Sequence, residues 1–295
     1  MDNNLQTMSS DIDNIVATFG SDESAFMELT GQAATPKSEG LSRLNINYDT
    51  ETEDGETLTR GDWKMMYLGE MVYAKEILIK PILRTFEWSI FDAEQGVFSS
   101  KSVQKPTMSG DFPDTEGGNK CGRLSQDEED KLKDDDPLKI KSRSAVCNQV
   151  LYSKVSGKFR KANGEEVEIS EHPAVAYFKR SGFLPIRNFI DSLTRQKKIM
   201  QKCWISLKTD KKKRGSVTYF VPVPTLSSET EILDEDKELM KKFAETVKAH
   251  NQSVLEQSRE SAKLESNDAD ESLADDFNAA FCFATISTPA CSKTR

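Results

Sequence analysis

Charge in this chain is sorted by position, and the sorting limits which segments can share a folded surface. Residues 1–59 carry 2 Lys/Arg against 12 Asp/Glu, residues 60–225 carry 30 against 22, and residues 226–295 carry 8 against 15. Within the middle block, residues 137–225 hold 19 basic and 6 acidic side chains. A net charge of −9 and a pI of about 5.1 therefore conceal a basic segment between two acidic ones. A compact surface crowded with cations needs counter-charge, either from a polyanion or from acidic arms of the same chain. Phosphate is a natural counter-charge, because neutralising it releases condensed counterions.

The boundaries of that basic segment suggest the organisation. Residues 1–40 read as an acidic arm with short helices: Ile12, Ile15, Val16 and Phe19 share one helical face, and a second short helix covers Ser24–Leu29. Residues 41–225 read as a basic, β-rich domain, within the usual size of one folded unit of roughly 50–250 residues. Residues 226–264 form an amphipathic helix with Leu239, Phe243, Val247, Val254 and Leu255 on or near one face, and residues 265–295 a flexible acidic-aromatic tail. Cys121, Cys147, Cys203, Cys282 and Cys291 are odd in number, widely spaced and free of any C-x-x-C pair. A disulfide framework or zinc site is not expected; free thiols in a reducing compartment are. Apolar runs fall short of the roughly 18–20 residues a membrane span needs. Met1-Asp2-Asn3-Asn4 lacks the basic-then-apolar start of a signal peptide. The expectation is a soluble cytoplasmic protein.

From residue 41 to 223 period-two alternation dominates. Strands are predicted at Leu44–Tyr48, Trp63–Leu68 and through Val72–Phe91, where Pro81 requires an edge or a bulge. Phe86, Trp88 and Ile90 fall on one face, with Phe98–Gln104 as a hairpin partner. Residues 105–137, with Gly110, Pro113, Gly117-Gly118 and Asp134-Asp135-Asp136-Pro137, read as a long insertion with one helical turn. Strands resume at Ser144–Val155, Glu166–Ile169 and Ala174–Arg180, with Gly157–Gly164 as a basic turn. A helix over Pro185–Lys202 follows, then a hairpin of Trp204–Lys208 and Ser216–Val223 with Lys211-Lys212-Lys213-Arg214-Gly215 at its tip. The fold class expected is mainly β (α+β): an oligonucleotide-binding (OB)-like antiparallel barrel with an inserted loop, one helix between late strands and a C-terminal helix.

Motifs for catalysis are absent. His172 and His250 stand in no recognisable arrangement with a nucleophile or an acid, and no G-x-x-x-x-G-K-[ST] or post-strand G-x-G-x-x-G occurs. A nuclease using Asp62, Glu70 and Glu87 would have no motif behind it, and no cofactor or metal is expected. Cations interleaved with flat rings point instead to nucleic acid, since a base stacked on an aromatic contributes about 1–3 kcal/mol with little sequence dependence. The predicted contact residues are Lys80, Arg84, Phe86, Trp88, Lys101, Arg143, Tyr152, Lys154, Lys158, Arg160, Lys179, Arg180, Lys208, Lys211, Lys212, Lys213 and Arg214. Tyr177, Phe178, Trp204, Tyr219 and Phe220 supply further rings, although any single aromatic on such strands is more often core than platform.

The layout resembles the single-stranded-DNA-binding proteins of some bacteriophages. The resemblance spans most of the chain and includes Ser42-Arg43-Leu44-Asn45-Ile46-Asn47, Lys120-Cys121-Gly122-Arg123-Leu124 and Gly215-Ser216-Val217-Thr218-Tyr219-Phe220-Val221-Pro222. It implies a non-enzymatic protein that holds single-stranded DNA during replication or recombination in the infected host's cytoplasm. Its acidic tail would contact replication proteins such as a polymerase or a helicase-primase. In this chain that tail would comprise Asp270, Glu271, Asp275, Asp276, Phe277, Phe281 and Phe283, and a homo-oligomer is compatible with it. Unlike the family pattern, the chain continues past Phe283 to a basic end at Lys293-Thr294-Arg295. The rival expectation is a phage virion or assembly protein whose basic face meets packaged genome or another subunit.

Overall fold

Nine strands and a short list of helices carry the described chain, which comprises residues 41–92 and 95–283, with side chains through residue 263, in a computed structural model. The predicted helices of the N-terminal arm lie outside these residues. The strands are β1 (Ser42–Ile46), β2 (Trp63–Tyr67), β3 (Glu70–Ala74), β4 (Ile77–Asp92), β5 (Val97–Lys101), β6 (Val146–Lys161), β7 (Glu166–Phe178), β8 (Cys203–Arg214) and β9 (Val217–Glu229). The helices are α1 (Gln126–Glu129), α2 (Pro137–Ser144), α3 (Phe183–Arg195) and α4 (Asp234–Phe283).

The protein is mainly β, and five of its strands close into a barrel. The sheet order is β3-β2-β1-β7-β6-β4-β8-β9, and β3 also pairs with β6 through Val72↔Lys161 and Tyr73↔Arg160, completing the ring. Alternation fills the inside: Leu44, Trp63, Met65, Val72, Leu151, Phe159, Ile169, Ala174, Ala176 and Phe178 are buried in one cluster. Helix α3 closes this core with Ile186, Ile190 and Leu193, the apolar positions of its 3.6-residue repeat.

Two 16-residue strands, β4 and β6, extend the sheet beyond the barrel, paired from Leu78↔Ser156 to Ser89↔Val146. Pro81 sits inside β4, where the register with β6 shifts between Pro81 and Leu83. Lacking an N–H, it cannot extend a ladder, and the pairing of β4 with β8 covers only Ile77↔Leu207 to Ile79↔Ile205. Trp63 ties the far strands to the barrel: its buried indole N–H donates to the Leu207 carbonyl at 3.0 Å.

Several elements run further than the sequence suggests. The expected turn at residues 157–164 is strand to Lys161, because Phe159 still points inward while Lys158 faces solvent. β7 is continuous through residues 170–173, and Glu171 adopts a positive φ of 52° within it. Lys211–Arg214 lie in strand β8, not in the turn. Helix α2 fills the stretch between the expected insertion and the strand expected from Ser144, and its start is explicit in the sequence: Asp136 accepts the Leu138 N–H at 2.9 Å and Pro137 occupies the first turn.

A second buried cluster joins the insertion to the long strands and the C-terminal helix: Phe86, Val103, Phe112 and Val254, with Trp88, Met108 and Phe183 packed against it. The helix is fastened by polar contacts as well. Asn251 accepts the Gln104 N–H at 2.6 Å and donates to the Gln104 carbonyl at 2.9 Å, and Phe243 packs on Tyr152. At the start of α4, Asp236 is 1% exposed and receives Lys80 at 2.7 Å and Lys154 at 2.8 Å. The α4 backbone continues through the residues expected as a tail up to Phe283.

Burial alone would raise the Asp236 pKa, but hydrogen bonds from Lys154, Lys80 and the Leu233 N–H outweigh it and lower the value to about 2. Its contribution to stability is then complete above the unfolded carboxylate value of about 4 and is lost as pH falls toward 2. Asp236→Asn should destabilise the fold by about 3–5 kcal/mol, because buried Lys80 loses its carboxylate and buried Lys154 keeps only the half-exposed Glu171. Urea unfolding at pH 7 and pH 3 checks this, and the gap between variant and native protein should narrow at the lower pH.

Candidate nucleic-acid interface

The folded chain divides the predicted contact residues into an interior group and a surface group. Lys80 and Lys154 belong to the interior: both pair with Asp236, and Lys154 also meets Glu171 at 2.7 Å. Their side chains are 4% and 6% exposed, so they are withdrawn from any surface that meets a ligand. Phe86 is buried against Phe183, Trp88 packs on the same cluster, and Tyr152 is buried with its hydroxyl at 3.0 Å from the Gln104 side-chain carbonyl. These three aromatics are core. Arg84 lies over the Phe86 ring at 4.8 Å, donates to Gln149 at 2.8 Å and faces Asp191 at 3.5 Å.

Other cations meet acids, some from distant segments and some close in sequence. Arg160 pairs with buried Asp62 at 2.9 Å and also donates to Thr59. Lys208 faces Glu76 at 3.1 Å, Lys212 faces Asp210 at 2.6 Å and Arg143 faces Asp134 at 3.2 Å. Lys101 lies over the Phe98 ring at 4.4 Å. Among the described residues, the predicted cations that form no ion pair are Lys101, Lys158, Lys179, Arg180, Lys211, Lys213 and Arg214. Asp270, Glu271, Asp275, Asp276, Phe277, Phe281 and Phe283 lie along the α4 backbone, beyond the described side chains.

Unpaired cations gather beside a groove at one end of the barrel. This groove, of about 360 Å³, is lined by Tyr48, Lys64, Tyr177, Lys179, Phe220 and Pro222, among others. Arg43, leaving β1 on the outer face, lays its guanidinium over the Tyr177 ring at 4.5 Å. Lys179 follows the last residue of β7 and is exposed beside Arg180. Partial burial, and to a lesser degree the neighbouring charges of Arg180 and Arg43, depress the Lys179 pKa. Arg180 itself has a positive φ of 48°, a costly conformation for a side chain with a Cβ.

The β8–β9 ribbon borders the same groove through Phe220 and Pro222 and carries a second group of cations. Lys211 is opposite Phe220 and Lys213 opposite Thr218, so both lysines share the face on which Phe220 points to the barrel. Lys212 and Arg214 project from the other face with Tyr219 and Val217. Phe220 is held by Tyr48, ring centroids 5.7 Å apart, and by the open backbone of Gly61, where a Cβ would stand 2.5 Å from its ring. Thr209 donates to the Gly61 carbonyl at 2.6 Å on the same ribbon face.

Sequence reasoning missed Arg43, Tyr48 and Lys64, which come from the acidic first block or just after it. Their signal is weak, because a single exposed ring or cation on a short strand has no pattern of its own. The carboxylates Asp62, Glu70 and Glu87 are dispersed: Asp62 meets Arg160, Glu70 meets Lys161 at 2.7 Å, and Glu87 is buried with Gln104, Asn148 and His250. Burial raises the Glu87 pKa. Among the described residues no cluster of three His, Cys, Asp or Glu side chains is arranged to hold a metal, and no helix is long and apolar enough to cross a membrane.

No family model, curated protein or solved structure matches this chain.

Gly61 has a φ of 95° as well as Phe220 against it, so Gly61→Ala meets both a strained backbone and a clash. The substitution should cost more than about 1 kcal/mol in a urea titration. It should also change the amide shifts of the β8–β9 ribbon more than those of α4.

Proposed function

We propose that this protein binds single-stranded DNA along the groove at the end of its barrel, without catalysis. The observation that supports this most directly is that Arg43, Lys179, Arg180, Lys211 and Lys213, none of them ion-paired among the described residues, lie near a groove bordered by the exposed Tyr48 ring and the half-buried Tyr177 ring. Backbone phosphates take the cations, and unstacked bases take exposed ring faces such as that of Tyr48, which is 45% exposed. Duplex DNA offers the phosphates but keeps its bases stacked inside, so single strands gain the additional term. With the resemblance in layout to phage single-stranded-DNA-binding proteins, the role proposed is protection of single strands during phage-type replication or recombination. Its place is the host cytoplasm, and residues 265–283 are proposed to recruit replication proteins.

The test is a titration with matched single- and double-stranded oligonucleotides at several salt concentrations. If four phosphates are neutralised, the slope of log K against log salt for single strands should be about −3. A flat response or equal affinity for duplex contradicts the proposal. Replacing Lys211, Lys212, Lys213 and Arg214 together by Ser should weaken binding and make that slope shallower. Stability should change by no more than about 0.5 kcal/mol per site, since all four side chains are exposed. Unchanged affinity and slope would remove the ribbon from the DNA path.

A further inference from the structure

Beyond the groove lies a second concavity of about 550 Å³ that the barrel alone would not form. Its floor is apolar, from Ile140 of α2, Val146 at the start of β6 and the Phe91 ring. Its rim is cationic, from Arg143, Lys179 and Arg180. Lys179 also borders the groove described above, so the two sites share a boundary residue. We propose that this pocket is a nucleotide subsite, in which one unstacked base of a single strand lies on Phe91 and its flanking phosphates meet Lys179, Arg180 and Arg143. This inference rests on the proposed single-strand binding and extends it to a specific place and contact.

Phe91 is poorly explained as a packing residue. It is 48% exposed, although its neighbours in β4 supply much of the core. By the alternation of β4, Phe91 lies on the face opposite Phe86, Trp88 and Ile90, and the β4–β5 register shifts beside it, with Ser99 of β5 as the extra residue, so that Phe91 stands opposite Phe98. Phe98 supports the ring edge-on at 5.3 Å between centroids and 71° between planes, which leaves a face available to a base. The Lys179 ammonium stands 5.9 Å from the ring centroid. Ile140 is 53% exposed on the pocket floor, a second apolar surface without cover.

The rim suits an anion. Among the described residues neither Lys179 nor Arg180 forms an ion pair, and the partner of Arg143, Asp134, is 84% exposed. A solvent-exposed pair of that kind contributes about 0–1 kcal/mol, so a phosphate can displace it. The chemistry demanded is a flat apolar ring next to negative charge, which a nucleotide supplies. A duplex cannot deliver a base there without unpairing it. The pocket therefore favours single strands by shape as well as charge, and it gives the insertion a role, because α2 carries both Ile140 and Arg143.

The experiment compares the full chain with Phe91→Ala and Phe91→Trp, using a short oligothymidylate and a set of the same length with one abasic site moved along it. For the native protein, an abasic site at the position that occupies the pocket should weaken binding about fivefold or more. Phe91→Ala should weaken binding to the intact oligonucleotide by a similar factor, abolish sensitivity at that one position and leave the salt slope unchanged. Phe91→Trp should restore both affinity and positional sensitivity, and duplex binding should not respond to either change. Native-like affinity and an unaltered abasic profile in Phe91→Ala would overturn the subsite while leaving groove binding intact. Failure of the native protein to prefer single strands would overturn both proposals.

Discussion

A single carboxylate, Asp236, decides whether the C-terminal helix belongs to the fold. It enters the sheet's outer face at the start of α4 and meets Lys80 from β4 and Lys154 from β6. Those two strands are the longest in the molecule, 16 residues each, and β6 is part of the barrel while β4 carries the sheet beyond it. Removing the acid would leave two buried ammonium groups, which is why the triad is indispensable once built, even if an apolar replacement of all three would cost little. Behind it, Phe243 on Tyr152 and Asn251 on Gln104 align the helix, and Val254 completes the second core.

This arrangement changes the meaning of the charge blocks. Counted along the chain, the basic segment looks like a uniform attractor of phosphate. Folded, much of it is neutralised by acids from outside residues 137–225: Asp236 for Lys154, Asp62 for Arg160, Glu76 for Lys208, Glu70 for Lys161, Glu229 for Lys198 and Glu231 for Lys202. Among the described cations without an ion pair, Arg43, Lys179, Arg180, Lys211 and Lys213 lie near the groove at one end of the barrel and along the ribbon, where the Tyr48 ring is exposed. A smaller, localised cationic surface is a better ligand site than a diffuse one, because its field is directed at a particular groove.

Local irregularities mark that same end. The β4–β5 register shifts beside Phe91, Arg180 takes a positive φ, and Gly61 makes room for Phe220. Each departs from regular strand geometry, as Glu171 and the Val155/Gly157 register shift do elsewhere in the barrel. Each also brings a ring or a cation to the concave side of the groove or to the neighbouring pocket, consistent with strain being retained where it positions a functional group.

Alternation in the sequence was sufficient to determine a mainly β protein with a helix between late strands and a C-terminal helix, because inward and outward positions repeat every two residues in a strand and every 3.6 in a helix. Pro81 signalled an edge or a bulge, which is the register shift after it, and the insertion was expected to hold one helical turn, which lies at Gln126–Glu129. Strand ends were less legible: β6 continues through Lys158-Phe159-Arg160 and β8 through Lys211–Arg214, because cations on an exposed strand face look like a turn when read in isolation. Which aromatics are core and which are open was decided only by tertiary structure. Phe86, Trp88 and Phe91 are close neighbours on one strand, yet insertion and helix cover the first two while Phe91, on the opposite face, is left exposed. The fate of each lysine was decided the same way, since Lys80 and Lys179 differ only in whether folding brings an acid to them. Burial and charge pairing depend on contacts between residues far apart in the chain, and no local period encodes those.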